Sequence, residues 1–271
     1  WGTYITTPYV SAEKASVHLE IEIKGANKGE KIDVETKILS PDGKVVAENN
    51  APYIAHGQIH SQNFLVPKPN LWSLETPALY TAETRILING SEVDAYDTRF
   101  GIRKLEYLPD QGFFLNGKPT KFKGVCNHHD LGPLGAAVNK SAILHQVELM
   151  KNMGANAIRT SHNMPAPELV EICDELGVML MIEPFDDWSF RPKSPNGYGA
   201  FFNEWAEKDI TNMVKRYRNN PSVVMWSIGN EVPSQWGPDG VSELTMLQNL
   251  VKSLDETRPV TCGMDQIGSV L

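Results

Sequence analysis

Between residues 122 and 264 the chain repeats one pattern five times: a short apolar run, a polar tip, then a segment of helical periodicity. No other feature constrains the fold as much, because strands alternating with helices pair in parallel and are covered on both faces. The first run, residues 122–125, is tipped by Cys126-Asn127-His128-His129-Asp130. A helix from about Lys140 follows, with Ile143, Leu144, Val147, Met150 and Met153 apolar and Gly154 as its stop. Ala157-Ile158 leads to Arg159-Thr160-Ser161-His162-Asn163, and Pro167 opens a helix that turns Leu169, Val170, Ile172, Cys173 and Leu176 inward before Gly177. Residues 178–182 end in Glu183, and the loop after them holds Asp186, Asp187, Trp188, Tyr198 and Phe201. The next helix carries Ile210, Met213, Val214 and Tyr217 and stops before Pro221. Val223-Val224-Met225-Trp226 is the fourth run and reaches Asn230-Glu231. A helix with Leu244, Leu247, Leu250, Val251 and Leu254 precedes the fifth, residues 260–264.

This grammar describes most of a (β/α)8 barrel, in which catalytic side chains sit at the C-terminal ends of the strands. Eight strands close such a barrel, so one of about five is expected to be incomplete. Its first and last strands would be open edges, through which the chain is expected to self-associate. A doubly wound sheet could be complete at five strands, but no Gly-x-Gly-x-x-Gly follows any run, which also argues against a nucleotide-binding α/β protein.

Residues 1–103 read as all-β. Val17, Leu19, Ile21 and Ile23 alternate with His18, Glu20, Glu22 and Lys24, and Ile32, Val34, Thr36 and Ile38 repeat the period of two. Ser40-Pro41-Asp42-Gly43 is a turn sequence, and Asn89-Gly90 between two strand-like runs is a strong hairpin signal. Short strands with regular turns predict an immunoglobulin-like sandwich, without the inter-sheet disulfide because this half has no Cys. Trp72 is expected to anchor a corner by packing, in preference to stacking on a sugar. The expected architecture is therefore a sandwich over residues 1–103 followed by an incomplete barrel over residues 104–271.

Net charge is −8 with no run of one sign, which argues against nucleic acid or an anionic membrane surface as partner. No apolar run approaches the length of a membrane span. The chain opens Trp1-Gly2-Thr3 with no charged-then-apolar leader, and its compartment is open. Cys126, Cys173 and Cys262 form no Cys-x-x-Cys and are each expected to be buried free thiols.

The tips carry the chemistry. Asn127-His128-His129, Arg159 with His162, Glu183, and Asn230-Glu231 follow different strands at one end, so they should converge on one pocket. Taken singly, His128 or His162 reads as a structural histidine, Arg159 as half of an ion pair and Asn230-Glu231 as a helix-capping pair. Together they suit a polyhydroxylated ligand, since a carboxylic acid can protonate a leaving oxygen while an amide holds a ring hydroxyl. His128, His162 and Glu183 have no close-spaced ligand pattern, and neither a metal nor another cofactor is expected.

Three of these segments carry a resemblance. Phe122-Lys123-Gly124-Val125-Cys126-Asn127-His128-His129-Asp130, Asn156-Ala157-Ile158-Arg159-Thr160-Ser161-His162-Asn163 and Trp226-Ser227-Ile228-Gly229-Asn230-Glu231 resemble the signatures of glycoside hydrolase family 2, nearest its bacterial β-galactosidases. Asp97-Thr98-Arg99-Phe100-Gly101-Ile102-Arg103 resembles that family's junction between sandwich and barrel. The resemblance implies a retaining β-glycosidase with a carbohydrate substrate. It makes Glu231 the general acid/base and Asn230 the donor to the sugar 2-hydroxyl. His128 and His162 would bind hydroxyls or steady the transition state, and Arg159 and Glu183 would position the carboxylates. The family's leading jelly-roll domain has no counterpart before Trp1, and its nucleophilic glutamate would lie beyond Leu271. The chain alone is accordingly expected to be nearly inert. β-Glucuronidase and β-mannosidase are the alternatives, because most sugar-discriminating residues would also lie outside it. A non-catalytic carbohydrate-binding piece is a further alternative. Some relatives bind a metal through a histidine shortly after Glu183; Ser189 stands roughly there, so that metal is not carried over.

Overall fold

A computed structural model describes residues 1–54, 59–266 and 268–269. It separates into two compact units, Trp1–Lys121 with Arg218–Pro221, and Phe122–Tyr217 with Ser222–Leu271.

The first unit is an immunoglobulin-like β-sandwich. Strands β1 (Thr3–Val10), β2 (Lys14–Ile21) and β5 (His60–Pro67) make one sheet in the order β1-β2-β5. The second sheet has the order β4-β3-β6-β7, from β3 (Lys31–Leu39), β4 (Val45–Ile54), β6 (Tyr80–Ile88) and β7 (Ser91–Phe100). Alternation decides the layers: Val17, Leu19, Ile21, Ile32, Val34 and Ile38 are all buried in one core, while their polar neighbours stay wetter. β7, at a sheet edge, exposes most of its length and carries Glu92, Asp94 and Asp97, charges that discourage strand addition. Trp72 is fully buried at its corner, where no sugar could stack on it.

No strand is expected from the sequence over residues 104–121, yet β8 (Leu105–Leu108), β9 (Gly112–Leu115) and β10 (Lys118–Pro119) form a small meander there. Its second turn is Asn116-Gly117, both at positive φ, with Leu115 paired to Lys118. This two-residue signal is the same one that reveals β6–β7.

The second unit is an incomplete (β/α)8 barrel. Its parallel strands β11 (Gly124–His128), β12 (Ala157–Ser161), β13 (Met179–Ile182), β14 (Val223–Asn230) and β15 (Val260–Gly263) pair in chain order. Between them run α1 (Lys140–Asn152), α2 (Pro167–Leu176), α3 (Phe202–Tyr217) and α4 (Gly240–Leu254). Asn139 caps α1 by accepting from the Ala142 amide at 3.0 Å, and Gly177 ends α2 in the left-handed conformation at φ 68°. The core joins Leu180 and Ile182 of β13 and Val223, Trp226 and Ile228 of β14 to Val170 and Cys173 of α2, Ile210 and Val214 of α3, and Leu247 and Val251 of α4.

Three expectations need correction. The first barrel strand begins at Gly124 and includes Asn127 and His128, because its ladder to β12 extends to the His128–Ser161 pair. Three of its five residues are exposed, as befits the open edge expected there, since β12 is its only strand neighbour among the described residues. For the same reason α1 buries only Ile143 and Val147, leaving Leu144 and Met153 exposed. Of the cysteines only Cys173 is buried; Cys126 is exposed on β11 and Cys262 is intermediate on β15.

Candidate active site

Glu183, directly after β13, is 0% exposed and is the hub of the site. A carboxylate out of water is tolerated only when its lone pairs are taken up. Arg159 donates from Nε to Oε2 at 3.1 Å and from Nη2 to Oε1 and Oε2 at 3.0 and 2.9 Å. His162 Nδ1 donates to Oε1 at 2.6 Å, and Ser227 Oγ donates to Oε2 at 2.5 Å. The Glu183 amide in turn donates to Thr160 Oγ1 at 3.0 Å. Donors from β12, from the residue after it and from β14 thus converge on one carboxylate, leaving it little capacity for a ligand.

Arg159 also reaches outward. Its Nη2 donates to Asn230 Oδ1 at 2.7 Å and its Nη1 to Cys126 Sγ at 3.6 Å. Burial alone would lower its pKa; the bonds to Cys126 and Glu183 more than offset this, and the net shift is upward. Gly263 makes room for the head group, since a Cβ there would lie 2.8 Å from Nη2. Cys262 beside it is a thiol: burial and the Glu183 charge push its pKa up to about 12.

A register shift puts β14 to use. Between Ser227–Thr261 and Asn230–Gly263, three steps on β14 oppose two on β15. In a regular strand, residues three apart face opposite sides; the bulge turns both Ser227 and Asn230 toward the Arg159–Glu183 pair. Because Arg159 only donates, Asn230 must present Oδ1 to it, and Nδ2 faces Asp186 Oδ1 at 2.9 Å. One Nδ2 hydrogen remains for a ligand.

Glu231 follows at φ 45°, its amide donating to Gly263 O at 2.5 Å. Its side chain is exposed, and no described residue bonds to its carboxylate. His128 is exposed on β11, its ring edge-on to His162 with centroids 5.2 Å apart. His162 spends Nδ1 on Glu183, so the proton sits there and Nε2 is left as a possible contact.

All six sequence-derived residues therefore gather at one end of the sheet. Arg159, His162, Glu183 and Asn230 form a single hydrogen-bonded network, with His128 joined by ring contact and Glu231 by the chain. The network also takes in Ser227, Asp186 and Lys193, which the sequence-derived site did not include. Lys193 Nζ donates to Asp186 Oδ1 at 2.7 Å and to Asn230 O at 2.8 Å. Burial would raise the Asp186 pKa, but these bonds from Lys193 and Asn230 hold it below the usual carboxylate value. Asp186 lay in view, three residues beyond Glu183; Lys193, in the middle of a long loop, carried no signal.

Beside this network a cavity of about 20 Å3 lies under His128 and Asn127, room for a single water and far too small for a sugar. Among the described residues no cluster of three or more His, Cys, Asp or Glu side chains could hold a metal ion. Ser189 donates its hydroxyl to Glu243.

The fold and this convergence define a barrel-type site. Residues 107–270 match the family model described as "Glycosyl hydrolases family 2, TIM barrel domain", and residues 2–103 match "Glycosyl hydrolases family 2". The chain belongs to glycosyl hydrolase family 2. It is 39% identical to Beta-galactosidase BoGH2A of Bacteroides ovatus over 99% of the chain and 36% of that protein. It is 31% identical to a Beta-glucuronidase of Streptococcus agalactiae over 92% of the chain and 41% of that protein. A crystal structure of a family 2 member from Bacteroides cellulosilyticus superimposes with a TM-score of 0.95 at 37% identity, covering 98% of this chain and 35% of that one. Bacteroides uniformis beta-glucuronidase gives 0.82 at 30%, covering 97% and 33%. The chain thus spans 36% and 41% of the length of the two curated relatives.

Proposed function

We propose that this chain carries the acid/base side of a retaining β-glycosidase site, and that the substrate is a terminal β-D-galactoside. Glu231 protonates the departing oxygen and then deprotonates water; Asn230 donates to the sugar 2-hydroxyl. His128 and His162 contact hydroxyls, while Arg159 and Glu183 hold Asn230 and His162 in place. The observation that carries this reading is Glu231 itself. It is a solvent-facing carboxylate with no described partner, next to an amide whose orientation Arg159 dictates. The choice of galactoside rests on the 39% identity with Beta-galactosidase BoGH2A; β-glucuronide is the second reading, supported by the Streptococcus agalactiae relative.

We propose further that the nucleophile is not among these residues. Retention needs a second carboxyl about 5–5.5 Å from the acid, and Glu183 is already saturated. The chain alone then hydrolyses a nitrophenyl β-galactoside no faster than its Glu231→Gln variant. In the complete gene product, Glu231→Gln slows substrates with poor, alkoxide-like leaving groups by about 10²–10⁴-fold. It slows cleavage of a dinitrophenyl glycoside far less, because that leaving group needs no proton. Equal losses on both substrates would remove Glu231 from the acid role. We also propose residues 1–103 and 104–271 as the chain's two domains, a division supported by the separate family matches to 2–103 and 107–270. Self-association through the outer barrel strands completes the proposal.

A further inference from the structure

We propose that the loop over residues 185–193 positions Asn230 for the sugar 2-hydroxyl, with Asp186 as the residue that fixes the plane of its amide. The inference rests on the assignment of Asn230 to that hydroxyl, and extends the site to residues that act on the ligand only through it. Every polar atom of Asn230 is engaged. Arg159 Nη2 donates to its Oδ1 at 2.7 Å, and this one loop supplies the rest. The Asn230 backbone amide donates to Phe185 O at 3.1 Å, its Nδ2 donates to Asp186 Oδ1 at 2.9 Å, and its carbonyl accepts from Lys193 Nζ at 2.8 Å. Lys193 Nζ also donates to Asp186 Oδ1 at 2.7 Å, which closes a ring of hydrogen bonds through the main chain and side chain of Asn230.

The terminal torsion of an asparagine is broad, so the bond from Arg159 alone leaves the amide free to swing about Oδ1. The second bond, at Nδ2, fixes the plane and so aims the one N–H left for a ligand. Burial opposes the Asp186 charge, but the bonds from Lys193 and Asn230 hold its pKa below the ordinary value. An ionised carboxylate only accepts, so one Nδ2 hydrogen is always drawn to it. The loop is pinned in turn by its next residue. The buried Asp187 accepts from the Lys193 amide at 3.1 and 3.2 Å, and a Cβ at Gly197 would collide with Asp187 Oδ2. The adjacent acids divide the work: Asp187 holds the loop, and Asp186 holds Asn230. Hydrogen bonds to the 2-hydroxyl strengthen in the glycosidase transition state, so a misaimed amide costs turnover more than binding.

The test uses the complete gene product and compares nitrophenyl β-galactoside with its 2-deoxy counterpart, or the matching β-glucuronide pair if that is the sugar turned over. Asn230→Ala sets the scale, since the fall it causes in the ratio of the two rates is the full worth of the contact. Asp186→Ala is expected to lower kcat on the hydroxylated sugar about ten-fold with KM little changed, and to leave the 2-deoxy rate within about two-fold. The Lys193 charge it frees acts alike on both sugars and cancels in the ratio. Asp186→Asn, which keeps an acceptor oxygen, is expected to retain most of the activity. In an Asn230→Ala background, Asp186→Ala should change the ratio no further. Equal losses on both sugars would make Asp186 merely structural and overturn the proposal. So would a further fall in the Asn230→Ala background, or an Asp186→Asn variant as damaged as Asp186→Ala. An Asn230→Ala variant with an unchanged ratio would instead sink the assignment of Asn230, and no hydrolysis of any of these glycosides would sink the glycosidase reading; both are distinct from a failure of Asp186.

Discussion

Glu231 occupies the left-handed region at φ 45°, where its Cβ crowds the following carbonyl. Asn tolerates that region far better, so Glu231→Asn is expected to raise stability by about 0.5–1 kcal/mol in urea denaturation. Glu231→Gln, equally crowded, should leave stability unchanged; a stabilised Gln variant would point to charge rather than backbone as the source. Arg159→Ala has the opposite sign. It strands the fully buried Glu183 with only His162 and Ser227 as donors, and should cost about 3–5 kcal/mol by the same measurement. Strand-tip position alone made Arg159, Glu183 and Asn230 legible in the sequence. Ser227 was not legible, because regular alternation turns it away from Asn230 and only the bulge on β14 brings both to one side.

Turns and capping residues made most elements legible. The β6–β7 hairpin turns on Asn89 and Gly90, at φ 52° and 79°, with Ile88 paired to Ser91. A Cβ on Gly90 would touch nothing within 4 Å, so Gly90→Ala isolates the backbone penalty and should lower stability by about 1–2 kcal/mol. β8–β10 escaped notice despite the same Asn-Gly signal, because four-residue and two-residue strands show too little alternation to register. The start of β15 is tied to β14 through Asp255, which accepts from Trp226 Nε1 at 2.8 Å and Arg258 Nη1 at 2.6 Å, while Arg258 Nε donates to Val223 O at 2.7 Å. Burial opposes the Asp255 charge, but Arg258 and the hydrogen bonds from Thr257 and Trp226 prevail and depress its pKa strongly. A depressed folded pKa means the unfolded chain takes up the proton first. This contribution is fully present above about pH 4–5, beyond the unfolded value, and is lost as pH falls toward the folded one. Asp255→Asn should destabilise at neutral pH and flatten the acid limb of the stability–pH curve; an unchanged acid limb would exclude Asp255 as its source.

At the scale of the whole molecule, the two fold classes were readable because period-two and period-3.6 patterns occupy separate stretches of the chain. The open outer edges were readable as well, because about five strands cannot close a barrel that needs eight. Among the described residues β11 and β15 each pair on one side only. β11 leaves Gly124, Cys126 and His128 exposed, and Phe122 just before it is exposed as well. Unpaired backbone donors and acceptors beside apolar surface favour strand addition by another copy. A second chain adding to β11 or β15 would satisfy those groups as a neighbouring barrel strand does. Sedimentation of this chain from micromolar to millimolar concentration should therefore show reversible association. Replacing Gly124 with Pro on β11, which removes an amide from that edge, should weaken association through it while leaving the sandwich intact. A monomer that persists across the whole range would mean these edges are protected in some other way.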